Sequence, residues 1–328
     1  MKKIAIIGSG SWGTALGVCL ARNGNEVKIW SFSEEEKRSI NEERKCIFLP
    51  KANIPDNIIC SSDFNEVLEG AEIILHVTPS KFVRSTLKQY KDLVKKDQLF
   101  IMCSKGFEAE TNLTLDKVIE EELPDVRYGI LSGPSHAEEV SIGIPTALVI
   151  ASKDEELKEK VIEVFKSNII RMYTSKDIKG VELGGALKNI IAFCAGIGVG
   201  LELGDNTFAA LLTRGLVEIA RLGTAMGGEE KTFYGLTGLG DLIVTCGSEH
   251  SRNRSAGVMI GKGFSIEETR KEIGMTIESV DNIDVAYELS KIYNVEMPIV
   301  HAVYDVLYNG LDPRVAVNNL MTRDLKEE

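Results

Sequence analysis

Short β-branched runs alternate with longer stretches of helical apolar spacing from the N-terminus to about residue 175. The runs 3–7, 26–30, 72–77, 98–103, 128–131, 146–151 and 169–173 have the composition of buried strands, and the segments between them carry helix-like apolar spacing. Strand and helix in alternation predict a parallel, doubly wound sheet. Beyond Asp177 the strand signal ends. Residues 181–199, 208–226, 266–272, 277–292 and 297–308 read as helices separated by Gly, Pro and Asn. The pattern predicts an α/β chain in two parts, a doubly wound domain over 1–178 and an all-helical domain over 179–328. The charged runs 34–36 and 154–159 read as solvated helix N-termini, where carboxylates suit the dipole.

A length of 328 residues, roughly twice the commonest domain size, agrees with two domains. Hydrophobic residues at 44% and charged residues at 27% are ordinary globular values, which confine any disorder to the tail of Lys326, Glu327 and Glu328. A net charge of −11 repels a phosphate polyanion, so nucleic acid is not an expected partner. Cys19, Cys46, Cys60, Cys103, Cys194 and Cys246 show neither a C-x-x-C pair nor Cys/His ligand spacing. Neither a metal nor a disulfide framework is expected, and a reducing cytoplasm suits the thiols. Met1-Lys2-Lys3 followed by uncharged residues 4–21 has the outline of a signal peptide. Gly8, Gly10, Gly13 and Gly17 interrupt it, however, and no small-x-small cleavage site follows. The best candidate membrane span elsewhere, 190–201, is shorter than the about 20 residues a bilayer requires, so none is expected.

The first strand runs into Gly8-Ser9-Gly10-Ser11-Trp12-Gly13, then into a helical run over 14–22 and a second strand. This is G-x-G-x-x-G in the strand–turn–helix–strand order that binds a dinucleotide: a Rossmann-like fold. Gly8 permits the turn, Gly10 lets the backbone approach a pyrophosphate, and Gly13 allows helix and strand to pack closely. The acidic residue that holds the ribose hydroxyls at the end of the second strand is missing, and Trp30-Ser31-Phe32-Ser33 stands there instead. No arginine stands ready for a 2′-phosphate either, and the nearby Glu34 disfavours one. The reading leans to NAD over NADP.

Four further segments carry chemistry. Lys105 follows a strand's carboxyl end, where open α/β sheets place ligand groups. Gly133-Pro134-Ser135-His136-Ala137 opens a helix at another strand end, with Ser135 as its N-cap and His136 read as structural. Gly184 and Gly185 lie inside a helix, at a cost of about 1 kcal/mol each relative to alanine. Gly184 is one turn before Lys188, so its missing side chain is expected to leave a hollow beside the ammonium. Flanked by Ala186, Leu187, Ile190 and Ile191, Lys188 is partly desolvated, which favours its neutral form and suits proton transfer. Lastly, Gly238-Leu239-Gly240-Asp241 holds a carboxylate between glycines and an apolar run, and Ser251-Arg252-Asn253-Arg254 is a cationic cluster suited to a phosphate. The bland alternatives are a turn lysine, an ordinary cap, a snorkelling lysine on a glycine-packed helix, and an exposed loop.

Together these segments resemble the bacterial NAD(P)-dependent glycerol-3-phosphate dehydrogenases over essentially the whole chain. The resemblance rests on 8–15, S-K-G at 104–106, G-P-S-H-A-E-E-V at 133–140, G-A-L-K-N at 185–189, N-T-F-A-A-L-L-T-R-G at 206–215, G-L-G-D-L at 238–242, S-R-N-R at 251–254 and V-E-M-P-I at 295–299. It implies reversible NAD(P)H-dependent reduction of dihydroxyacetone phosphate to sn-glycerol 3-phosphate for phospholipid synthesis. Lys188 is then the proton donor and acceptor. Lys105, Gly133, Ser135, Lys188, Asp241, Ser251, Arg252 and Asn253 would contact substrate. Gly8, Gly10, Ser11, Trp12, Gly13, Phe32, Lys105, Ala137, Arg252, Thr276 and Glu278 would contact the cofactor. Phe32 and Ser33 depart from the basic residue or histidine common there, His136 from phenylalanine and Ser279 from glycine. The apolar run 192–203 in the helical half points to a homodimer. The alternatives are a β-hydroxyacid or 6-phosphogluconate-type dehydrogenase, which shares the fingerprint and a lysine-asparagine helix, and a non-catalytic NAD(H) sensor.

Overall fold

The computed structural model describes residues 1–324, and the expected disordered tail at 326–328 lies outside them. Its strands are β1 (Lys3–Ile7), β2 (Glu26–Trp30), β3 (Ile58–Ser61), β4 (Ile73–His76), β5 (Leu99–Met102), β6 (Phe107–Glu108), β7 (Leu113–Thr114), β8 (Arg127–Ser132), β9 (Thr146–Ala151) and β10 (Ile170–Ser175). Eight of them form one sheet in the order β10-β9-β8-β5-β4-β1-β2-β3, and β6 pairs with β7 in a separate hairpin. β1 lies between β2 and β4, so its carboxyl end marks the point where the winding reverses, the usual ligand crevice of an open sheet. β3 and the hairpin lie outside the expected strands, the hairpin because two-residue strands are too short to show periodicity.

The sheet is not parallel throughout, as expected from alternation alone. β8 and β9 are antiparallel, with Leu131 opposite Ile150. The helix between them, Ala137–Ile142, has six residues, too few to carry the chain back along the sheet before β9 begins. The eleven-residue helix Glu155–Phe165 does return the chain, and β9 and β10 are parallel. Helices N-capped by Ser33 and Asp154 start at the two acidic runs, as expected.

The chain divides into two compact units. The first comprises Met1–Glu108 and Leu113–Glu182; the second takes in Ala109–Asn112 and begins again at Leu183. The division falls inside the helix Ile178–Gly200, a few residues past the expected junction at 178/179. In the first unit a core of Ile4, Ile6, Leu16, Val27, Ile29, Leu75 and Ile101 is sealed around β1.

Among the described residues the second unit has no strand. Its main helices are Ile178–Gly200, Asp205–Ala225, Arg252–Gly261, Glu278–Ile292, Pro298–Tyr308 and Pro313–Met321. Ile178–Gly200 is long and apolar enough to cross a membrane, unlike the shorter 190–201, but most of it is buried inside the protein. That burial also removes the basis for the expected dimer surface. Ala192, Phe193, Ala195, Ile197 and Leu201 are at most 6% exposed within the single chain.

Glycines set the closest contact in this unit. A Cβ on Gly257 would lie 1.9 Å from the Phe193 carbonyl oxygen, and one on Gly196 would lie 2.1 Å from that of Arg254. Gly200 and Gly261 repeat the contact one turn on, so two small-x-x-x-small edges interlock and bring Arg252–Gly261 against Ile178–Gly200. Gly257→Ala should therefore destabilise the protein by about 1–3 kcal/mol. Gly247→Ala, where a Cβ meets nothing, should be nearly neutral. Chemical unfolding of the two variants checks this.

The turn before Pro298–Tyr308 is fastened by Glu218, which is 2% exposed. Its carboxylate accepts from the backbone N–H of Ile299 (2.8 Å) and Val300 (3.2 Å). Burial pushes its carboxyl up to about 7, against the opposing pull of those two N–H donors. The native state therefore holds a proton that the unfolded chain releases near the ordinary glutamate value of 4.5, and stability falls as pH rises from 4.5 to about 7. Glu218→Gln should flatten the melting temperature across that window; a slope identical to that of the parent would remove the assignment.

Candidate active site

The glycine fingerprint folds as its spacing requires. Gly8 has φ +125°, and a Cβ there would press on the Val77 carbonyl at 3.0 Å; one on Gly13 would lie 2.0 Å from the Gly8 carbonyl oxygen. Gly10 differs, because a Cβ there meets nothing within 4 Å. The turn is thus closed on the protein side and open at the helix N-terminus, where Gly10 occupies the cap position of Ser11–Arg22 and offers no side-chain acceptor to the first amides. This is the cradle a dinucleotide pyrophosphate needs, so the residues present fit the cofactor. Trp12 packs against the core of this unit, and its indole N–H is buried with no partner among the described residues. Phe32 is 80% exposed at the end of β2.

The acidic residue missing from the end of β2 is supplied from elsewhere. Glu36, on the short helix Glu34–Arg38, accepts hydrogen bonds from the Ser9 hydroxyl and, at 3.2 Å, from the Ser31 hydroxyl. Spacing along the strand hid it, because the Ser33 cap turns the chain back over the glycine loop.

At the carboxyl ends of β5 and β8, Lys105 and Ser135 meet on one group. The Lys105 ammonium donates to the Gly133 carbonyl at 3.2 Å and the Ser135 hydroxyl donates to the same oxygen at 3.1 Å. Gly133 has φ +138°, and a Cβ there would lie 2.9 Å from the Ala147 carbonyl oxygen. Ser135 is not the N-cap expected of it. His136 holds that position with no side-chain capping bond to the helix, and Ala137 begins the helix. Ser104, beside Lys105, donates to the Thr78 carbonyl at 2.5 Å, and the Thr78 hydroxyl hydrogen-bonds His76 Nε2 at 2.7 Å. Burial drives the His76 imidazole down to about 3, so it is neutral and structural.

In the second unit Lys188 is 6% exposed and Asp241 1%. The Lys188 ammonium donates to Asp241 Oδ1 at 2.5 Å and to Thr245 Oγ1 at 2.6 Å, and the Thr245 hydroxyl donates onward to the Asp241 carbonyl. The hollow expected beside Gly184 is filled by backbone. A Cβ there would lie 2.8 Å from the Thr237 carbonyl oxygen, and one on Gly238 would lie 2.0 Å from that of Phe233. These two glycines let the π-turn Leu236–Gly240 settle on the lysine helix and aim Asp241 at Lys188. The lysine is therefore not simply desolvated: a carboxylate lies in direct contact with it. Thr245 was missed as a partner, although its place one turn after Asp241 was the available signal.

The cationic cluster is helical rather than a loop. Ser251 caps Arg252–Gly261 by accepting from the Arg254 N–H. Asn253 donates to Asn189 Oδ1 at 3.0 Å and accepts from the Ser279 N–H at 2.9 Å, linking the residue after Lys188 to the start of Glu278–Ile292. Arg252 donates to the Thr276 carbonyl at 2.8 Å, and Glu278 accepts from the Asn282 amide at 3.2 Å. Asn253 thus ties the arginine helix to the residue after Lys188 and to the start of Glu278–Ile292, while Arg252 fastens it to Thr276.

A dinucleotide cradle in the first unit and, in the second, a buried lysine against a carboxylate and an arginine cluster are the parts that reduction of a carbonyl on an anionic substrate requires. The family described as NAD-dependent glycerol-3-phosphate dehydrogenase matches through its N-terminal part at residues 3–158 and its C-terminal part at 177–318. A glycerol-3-phosphate dehydrogenase (NAD(P)+) of Fusobacterium nucleatum subsp. nucleatum is 47% identical over all of this chain and 99% of its own. One of Bacillus subtilis (strain 168) is 48% identical, over all of this chain and 96% of its own. A crystal structure of glycerol-3-phosphate dehydrogenase from Coxiella burnetii superposes with a TM-score of 0.94 at 38% identity, covering 98% of each chain. From the cradle of Gly8 to the cluster at Arg252, the chain belongs to the NAD-dependent glycerol-3-phosphate dehydrogenase family.

Proposed function

We propose that the chain reduces dihydroxyacetone phosphate reversibly to sn-glycerol 3-phosphate with NADH or NADPH, and that Lys188 is its general acid and base. The observation that carries this reading is the buried Lys188–Asp241–Thr245 triad at 2.5 and 2.6 Å. Gly8, Gly10, Ser11, Trp12, Gly13, Phe32, Lys105, Ala137, Arg252, Thr276 and Glu278 would hold the cofactor. When bound, its reduced nicotinamide supplies the hydride that the ketone carbon takes up. Lys188 donates a proton to the ketone oxygen as charge develops there, and takes it back in the reverse direction. Asp241 keeps the lysine protonated between turnovers and, with Thr245, restricts where the ammonium points. Lys105 adds positive charge, with Gly133 and Ser135 orienting it. Ser251, Arg252 and Asn253 bind the phosphate, arginine supplying paired donors.

The 179–328 helical domain is the substrate-binding half of this reading and 1–178 the cofactor half. Glycerol 3-phosphate made in the cytoplasm would feed phospholipid synthesis. A homodimer is supported by the half-exposed apolar start of Asp205–Ala225, where Phe208, Leu211 and Leu212 stand partly in solvent.

Dihydroxyacetone phosphate should cause oxidation of NADH or NADPH by the purified protein. Lys188→Ala should lower kcat by at least about a hundredfold while dinucleotide affinity stays within about twofold. Near-normal kcat in that variant would sink the assignment. Arg252→Ala should raise KM for the phosphorylated substrate by roughly tenfold or more with a smaller change in kcat. An unchanged KM would take Arg252 out of the phosphate site.

A further inference from the structure

We infer that Glu36 is the residue that selects NAD(H) over NADP(H) in this chain; the inference rests on the dinucleotide reading above. An NAD-selective Rossmann site places a carboxylate within reach of the adenosine ribose hydroxyls, at the end of the second strand and beside the glycine loop. No acidic residue lies on β2 after Glu26 or in the turn of Ser31, Phe32 and Ser33 that follows it. The structure nevertheless brings one there. The Glu36 carboxylate takes both the Ser9 hydroxyl, inside the fingerprint, and the Ser31 hydroxyl, at the strand end, on its Oε2 oxygen. Among the described residues Oε1 receives no hydrogen bond from the protein, which leaves an acceptor for a ribose hydroxyl. A 2′-phosphate at that hydroxyl would instead meet a carboxylate.

The cations of the neighbourhood do not offset this. Lys37 is paired with Glu34 at 3.1 Å and Arg38 lies 3.9 Å from Glu43. The first turn of Glu34–Arg38 carries three glutamates, and its cap site is taken by Ser33, whose hydroxyl accepts from the Glu36 N–H. Serine and phenylalanine stand where a 2′-phosphate would call for arginine. Glu36 is also half-buried and held by two hydroxyls, so its charge is fixed in place rather than swept aside into solvent.

The test is calorimetric titration of the purified chain with NAD+, NADP+, NADH and NADPH, together with Glu36→Gln and, as a control, Glu35→Gln, which removes the same charge from an exposed neighbour. The parent should bind the unphosphorylated forms at least about tenfold more tightly, since like charges brought together cost several kcal/mol. Glu36→Gln should tighten NADPH binding and shrink the ratio at least about fivefold, whereas Glu35→Gln should change it less than about twofold. Equal affinity of the parent for both forms overturns the assignment without any variant. So does a ratio that Glu36→Gln leaves unchanged, or that Glu35→Gln shifts as much. Binding of none of the four by folded protein overturns the dinucleotide reading itself, an outcome distinct from binding without discrimination.

Discussion

An ammonium group removed from water needs a counter-charge in contact, because desolvating it alone costs several kcal/mol. Lys188 is 6% exposed in an apolar helix, and Asp241 at 2.5 Å is what makes that position tenable. The second unit is arranged around this pair. Gly184 removes the side chain that would hold the Asp241 turn away, and Gly238 lets that turn fold tightly on the Phe233 backbone. Gly196, Gly200, Gly257 and Gly261 bring the arginine helix down beside Asn189, the residue after the lysine. Glycines that cost helix stability locally are offset by backbone approaches that no other residue permits.

The first unit meets a different constraint, the binding of an anion by a net acidic protein. It answers with backbone rather than side chains. The Gly8–Gly13 turn presents helix amides with no side-chain cap, and the Glu36 carboxylate lies against its Ser9 hydroxyl. Positive side chains stand at the other candidate segments, at Lys105 and at Arg252 and Arg254.

Much of this was legible in the residue order. Short β-branched runs and the glycine fingerprint predicted β1, β2 and the helix between them, because those features are local and each residue's role depends on neighbours within a few positions. The lysine, the carboxylate and the arginine cluster stood out for the same reason: glycines or charges in unlikely surroundings. The family itself was readable from these motifs taken in order.

Contacts between distant segments were decided only by the fold. The sequence alone determined which residues carry charge and which stretches are strands or helices, since both follow from side-chain chemistry and local periodicity. Tertiary structure decided that the space beside Gly184 is filled by the Thr237 backbone, that β9 runs antiparallel to β8, and that the apolar run after Lys188 is spent on its own core. It also decided that Glu36, six residues past the strand, faces Ser9. A carboxylate's position relative to a loop 27 residues away depends on how the chain turns between them, and no local pattern records that turn.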